Sequence, residues 1–394
     1  MNIICSVTYF DPYISGLSIY AKRLAEGLVN KNDEVTILTM QHDIRLPLDE
    51  SKTYRIIRAV PLVKIHKGFL SFDWIVKSWQ QVRLHDVLIV HLPQVEGWIP
   101  ALFARLLGKR VISIYHCEVV LPNGLFNTII QIILEIANTV TLLLSHVVVT
   151  YTKDYADHSR LLRLVKHKVV AIYPPIPTPK ASKSLVLKYK KQIGKSDVVI
   201  GVAARIAHEK GIEYLLEAIP LLLSSRAKRG DPVGIASSKT SRNDRIKIVI
   251  AGPIDPVGEE AYKIKIMQLV KKYKKQVVFL GEIAQENMGS FYTCIDVLVV
   301  PSINSTEAFG LVQVEAMMMG VPVVASDLPG VRVPVQKTGM GIVVPIKNSL
   351  VLSQAIVGVI MNPSFYKKSV KEVTQIFSYK QFFMKFQQFL QANN

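Results

Sequence analysis

Four charged side chains and one histidine carry most of the chemistry this sequence offers. Glu307 and Glu315 lie in the stretch PSINSTEAFGLVQVEAMMMGVPVVASDLPGVRVPVQKTGMGIVVP, from Pro301 to Pro345, with seven residues between them. Arg205 and Lys210 lie in DVVIGVAARIAHEKGIEYLLEAI, in a loop just before a helix. Such a pair suits a diphosphate, Arg as a planar fork and Lys as a point charge. A solvated Lys210 is the plainer alternative. Between the glutamates, the backbone N–H groups of Phe309, Gly310 and Leu311 would be first-turn donors suited to anionic or polyhydroxyl ligands. Gly310 has no side chain to block their approach. His116 closes the apolar run VISIYH. Taken singly, Glu307 reads equally as a helix cap, Glu315 as a residue on a solvated face and His116 as a satisfied structural residue.

The elements that must position these groups alternate in type. The β-branched run Val297 to Val300 reads as a strand, Phe309 to Met319 as an amphipathic helix ended by Gly320, and Val321 to Ala325 as the next strand. Strand, loop, helix and strand make a parallel βαβ unit. Val198 to Ala203 and the helix Gly211 to Ile219 repeat the pattern around Arg205 and Lys210. So do Asn2 to Val7, Ile19 to Leu28 and Glu34 to Leu38, with Gly16 just ahead of the helix, where N–H groups can face a phosphate. Loops at the carboxyl ends of strands are where open α/β sheets bind ligands, which places His116, Lys210 and Glu307 on the binding side. Four prolines in YPPIPTPKASKS stop both helix and sheet and mark a linker. The expected architecture is α/β with two Rossmann-like domains: residues 1–175, a linker at 176–196, and residues 197–377. The basic segment 226–245 breaks the pattern and reads as a surface-loop insertion.

The residues between Glu307 and Val331, EAFGLVQVEAMMMGVPVVASDLPGV, resemble the donor-site signature of glycosyltransferase family 4, the glycosyl transferases group 1. These are retaining enzymes with two Rossmann-like domains facing across a cleft, the GT-B arrangement. DPYISGLSIYAKRLAEGLVNKNDEVTILT resembles the family's opening segment, although Ser15 and Gly16 stand where many members have two glycines. The resemblance implies that Glu307 binds hydroxyls of the transferred sugar and Glu315 those of the nucleotide ribose. It gives the diphosphate to Arg205 and Lys210, with Gly16, Phe309, Gly310 and Leu311 also on the donor. It puts His116 near the reacting sugar and the loop after Gly281 near the base. It also brings a last helix, 378–392, back onto the first domain. The activity implied is transfer from a UDP- or GDP-linked sugar to a saccharide or lipid-linked acceptor in cell-envelope synthesis, without a cofactor or metal. The absence of any Asp-any-Asp triplet agrees. Rival readings are a GT-B sugar-nucleotide epimerase and a non-catalytic basic membrane-associated protein.

Composition narrows the setting. Apolar residues make up 49% of the 394, enough for two cores. Three isolated cysteines, Cys5, Cys117 and Cys294, argue against a disulfide framework and for a reducing, cytoplasmic compartment. A net charge of +18 favours anionic partners, among them the inner face of a membrane. No nucleic-acid-binding motif accompanies it. The apolar stretch Leu125 to Leu144 is interrupted by Asn127, Gln131, Glu135 and Asn138, which fall on one stripe of a helix. It reads as a buried amphipathic helix of the first domain, with a helix lying on a membrane surface as the alternative.

Overall fold

The computed structural model describes residues 1–65, 68–121, 124–228, 246–254 and 259–391. The chain divides into two compact units, Met1–Ile176 with Ser378–Asn394, and Pro177–Phe377. Each is an α/β unit built on a parallel sheet.

In the first unit the sheet runs, edge to edge, Val169–Ala171, Val147–Thr150, Arg110–Tyr115, Val87–Leu92, Asn2–Ser6, Glu34–Met40, Arg55–Ala59 and Asp49–Ser51. All neighbours pair in parallel except the last two strands, a short antiparallel edge. Strands such as Ile3 to Ser6 and Val87 to Leu92 are buried on both faces, which explains their unbroken apolar runs. The opening helix is longer than its apolar pattern: it spans Gly16–Val29. Ser15 caps it through a reciprocal pair with Ser18, so Gly16 is its first residue rather than the residue ahead of it. The last helix, Tyr379–Gln391, belongs to this unit and buries Phe382, Phe383 and Phe386. Gly27 is the seat for one of these rings, since a Cβ there would fall 1.9 Å from Phe383 Cζ. After Val147–Thr150 come two short helices, Lys153–His158 and Arg160–Leu164, separated at Ser159, which caps the second.

In the second unit the order is Val277–Gly281, Ile246–Ala251, Val198–Ala203, Val297–Val300, Val323–Ser326 and Gly341–Val344, all parallel. The chain starts on Val198–Ala203, builds outward to one edge, then returns to the other side of that strand at Val297–Val300. That reversal makes the gap between these two strands a topological switch point. The core lies between the sheet and its helices, on Ile200, Val202, Ile248, Leu215, Val299 and Ile356. The proline-rich segment is not a free linker. From Pro177 onward it belongs to the second unit, where helix Lys183–Ile193 packs on Met288–Tyr292 and Ser182 N–H donates to Ser290 Oγ at 2.9 Å. Of the expected insertion 226–245, helix Ile219–Lys228 takes in the start, and 229–245 lie outside the described residues.

Candidate functional site

At the switch point of the second unit two loops meet, one from each flanking strand. The loop after Val198–Ala203 makes a short turn, His208–Lys210, and enters helix Ile212–Glu217 through Gly211 at φ +59°. A Cβ at Gly211 would fall 2.2 Å from the Pro301 carbonyl oxygen, so only glycine lets the loops approach this closely. Ile303 N–H completes the join by donating to the Glu209 carbonyl at 3.0 Å. Further along the second loop, Asn304 sets a tight turn: its side-chain oxygen accepts from Thr306 N–H at 3.1 Å and its carbonyl from Glu307 N–H at 3.2 Å. The turn aims Glu307 back across the gap.

The outcome is an ion pair between residues 97 apart in sequence, Lys210 Nζ to Glu307 Oε2 at 2.7 Å, both half-buried. Burial works against the Lys210 charge, but the Glu307 and Glu209 carboxylates outweigh it and hold the ammonium above its ordinary value. Lys210 is therefore not a merely solvated lysine. Arg205 forms a second pair at 2.6 Å with Glu209, a residue to which local pattern assigns no role. Burial pushes the Glu209 carboxyl up, yet Arg205 and Lys210 leave it lowered overall. The buried Ser302 hydroxyl, on the same loop as Glu307, has no partner among the described residues.

Helix Leu311–Met318 starts two residues later than its apolar pattern implies, with Gly310 as its cap at φ +74°. The Phe309 ring is core, edge-on to Phe377 at 5.9 Å, so its side chain is not presented to a ligand. Gln313 holds this entry together by donating to the carbonyls of Phe309 at 2.7 Å and Val331 at 3.0 Å. Glu315 is not on a solvated face; it is 2% exposed. Gln285 Nε2 donates to one of its oxygens at 2.9 Å and the Tyr292 hydroxyl to the other at 2.8 Å. Gln285 comes from the loop after Gly281, so the structure joins two segments that sequence reading took separately.

Gly16 and His116 belong to the first unit. Space is open at Gly16, where a Cβ would meet nothing within 4 Å. His116 does not line an open loop as its strand-end position implied. Its N–H extends the ladder to the Leu92 carbonyl at 2.9 Å, and its side chain turns into the core, leaving the residue 4% exposed. Its Nε2 sits 2.9 Å from His91 Nδ1 and its Nδ1 bonds the Tyr151 hydroxyl. Burial, and then the neighbouring imidazole, hold His116 well below the usual histidine range, and burial takes His91 down to about 3. Both rings are neutral at pH 7.

The first unit has its own reversal of strand order, between Asn2–Ser6 and Val87–Leu92, with a polar cluster that sequence reading missed. Thr8 Oγ1 donates to buried Glu96 at 2.7 Å, and Gln94 links Glu96 to Ser6. Burial raises the Glu96 carboxyl. Nearby, Tyr9 makes tilted ring contacts with Tyr13, His42 and Phe69 at centroid distances of 4.6, 5.7 and 5.3 Å. Nothing in the local pattern VEGW marks Glu96 as buried; only its position after a central strand does.

The profile described as Glycosyl transferases group 1 matches residues 186–375, and that described as Glycosyltransferase Family 4 matches residues 14–180. An uncharacterized glycosyltransferase of Methanocaldococcus jannaschii is 27% identical over 368 residues, 88% of this chain and 85% of its own length. The lipopolysaccharide 1,2-N-acetylglucosaminetransferase of Salmonella typhimurium is 31% identical over 150 residues, 37% of this chain and 34% of its own length. Among solved structures, Anabaena HepE in complex with UDP and glucose superposes with a TM-score of 0.75 at 16% identity, over 99% of each chain.

Proposed function

Because this chain belongs to the glycosyl transferases group 1 and has their GT-B fold, we propose that it moves a sugar from a nucleotide donor held by the second unit, with retention of anomeric configuration. The observation that carries this reading is the switch-point pair Lys210 and Glu307, with Arg205 beside it. A cation already paired with a carboxylate is charged and oriented at neutral pH. An arriving diphosphate takes over Lys210 and Arg205, which stabilise the charge that grows as the bond to the anomeric carbon breaks. Glu307, released from Lys210, accepts hydroxyl hydrogens of the transferred sugar. The N–H groups at the start of helix Leu311–Met318 add fixed dipoles to the same charge. Glu315 receives the ribose hydroxyls, which take the place of Gln285 as donors. In this reading, attack comes from the face the diphosphate leaves, a donor phosphate oxygen takes the acceptor's proton, and no metal is required.

The base is uracil or guanine; the UDP complexes of HepE favour uracil. The acceptor is a saccharide or lipid-linked saccharide of the cell envelope, met by the first unit. There the partly exposed Tyr9, Tyr13 and His42 rings, backed by buried Phe69, offer faces to a sugar, and Gly16 at its helix start leaves room for a phosphate. His116 acts from within the core by positioning Tyr151 and His91 rather than by touching the sugar. The protein works in the cytoplasm, at the inner face of a membrane, where its +18 charge meets anionic lipid.

Titration calorimetry with UDP, GDP and their sugar conjugates tests the donor site. One nucleotide should bind in the micromolar range to the wild type and at least about tenfold more weakly to Lys210→Ala and Glu315→Ala. Binding that both folded variants retain in full would remove the switch point from the site. Turnover of the sugar nucleotide without acceptor, yielding an isomer instead of free nucleoside diphosphate, would mean an epimerase.

A further inference from the structure

Helix Leu125–Leu144 is assembled inside out. Its polar stripe faces the protein. Asn138 is buried and accepts from Gln94 N–H at 3.0 Å, Gln131 donates to the Val119 carbonyl at 2.7 Å, and Glu135 pairs with Arg160 at 2.6 Å. The apolar residues Leu125, Ile129, Ile132, Ile136, Val140 and Leu143 face outward, with Leu125 at 82% and Ile136 at 60% exposure. A helix of a water-soluble surface has the opposite arrangement. The expectation of a buried helix is therefore corrected: burial is confined to Ala137, Asn138, Thr141 and Leu142.

The two preceding helices extend this face. Phe72–Leu84 packs on Trp98–Leu106, which packs on Leu125–Leu144, so the three lie side by side. Their outer positions continue the apolar surface with Phe72, Val76 and Trp79 on one and Trp98 and Leu106 on the next. The charges on the face are cationic. Arg83 lies over the Trp79 ring at 5.7 Å, Arg105 is exposed beside Leu106, and Lys168 Nζ donates to the Leu143 carbonyl at 2.7 Å. The acidic residues of these helices are Asp73 and Glu135, both half-buried and paired, with Lys77 and Arg160.

We infer that this three-helix face of the first unit lies on a membrane, its Ile and Leu side chains in the acyl boundary and Arg83, Arg105 and Lys168 at anionic headgroups. Charge decides between a lipid surface and a protein partner. An apolar face whose exposed charges on the described residues of these helices are Arg83 and Arg105 matches a layer that is apolar inside and anionic at its edge, and a second copy would bring like charge to the same face. The polar stripe, held by hydrogen bonds to the body, keeps the helix flat on the surface rather than across the bilayer. Aromatic Trp79 and Trp98 are at home at headgroup depth.

This inference deepens the membrane setting proposed for the enzyme, and the test separates the two. The full chain is floated with vesicles of phosphatidylcholine alone and of phosphatidylcholine with phosphatidylglycerol, beside Ile129→Glu/Ile136→Glu and Arg83→Gln/Arg105→Gln. Nucleoside diphosphate binding and thermal unfolding serve as controls for the fold. Wild type should bind the anionic vesicles, and the Ile pair should bind them about tenfold less or worse while keeping its nucleotide affinity. The Arg pair should lose the preference for anionic over neutral vesicles. Wild-type binding unchanged by the Ile substitutions would overturn this face while leaving membrane association intact. No wild-type binding to either vesicle would overturn both, and a stable dimer in solution that the Ile substitutions split would overturn this face.

Discussion

Lys210 and Glu307 hold each other at 2.7 Å, and substitution of either should be felt differently in binding and in turnover. In the proposed donor site Lys210→Ala removes a charge-assisted bond to the diphosphate, about 1.5–3 kcal/mol, so nucleotide affinity should fall about 10- to 100-fold by calorimetry. Glu307→Gln keeps the size but loses the carboxylate and releases Lys210. Nucleoside diphosphate should then bind as well or better, while kcat falls by about 100-fold. Equal loss of kcat and of nucleotide affinity in Glu307→Gln would place that residue on the nucleotide rather than the sugar. Glu315→Gln tests the ribose contact apart from packing. It keeps the volume beside Tyr292 and Gln285, so a large drop in affinity without a drop in melting temperature assigns the carboxylate to the ligand.

At the scale of elements, the site depends on how closely two loops approach. Gly211→Ala forces a Cβ to within 2.2 Å of the Pro301 carbonyl and puts an alanine at φ +59°. The second unit should lose about 3 kcal/mol or more by urea unfolding, and nucleotide affinity should fall with it as Lys210 moves away from Glu307. Gly16→Ala is the contrasting case. Its backbone is that of an ordinary first helical residue with open space around the missing side chain, so stability should change by less than about 1 kcal/mol. Any larger effect would appear as reduced turnover, through a ligand that must come close to Gly16.

At the scale of the whole molecule, the His91 and His116 pair links stability to pH. Both are held neutral in the folded state, below the usual histidine value. The unfolded chain takes up protons below about pH 6.5 while the folded chain does not. The contribution is thus fully present above about pH 6.5 and is lost as pH falls from there toward 3. Each such proton should cost about 1.4 kcal/mol per pH unit in that window. Urea midpoints of wild type and His91→Gln between pH 7.5 and 5 should show a shallower slope in the variant, whatever its stability at pH 7.5. Parallel slopes would count against a neutral buried pair.

Much of this was written in local sequence. β-branched runs such as Val198 to Ala203 and Val297 to Val300 form strands because both faces are covered, and their alternation with helices dictates a parallel α/β sheet. The stretch from Glu307 to Val331 and the Arg205 and Lys210 segment were enough to indicate the family, because spacing along a strand, loop and helix is fixed by backbone geometry. What local sequence leaves open is set by distance in space. That Glu209 holds Arg205, that Gln285 and Tyr292 hold Glu315, and that Glu96 is buried follow from strand order, which brings far segments together only after the sheets form. The same holds for His116 and for helix Leu125–Leu144. A periodic stripe identifies two faces of a helix, but which face turns inward depends on the partners waiting there. Val119, Gln94 and Arg160 offered hydrogen bonds and an ion pair, so the polar stripe went in and the apolar one was left outside.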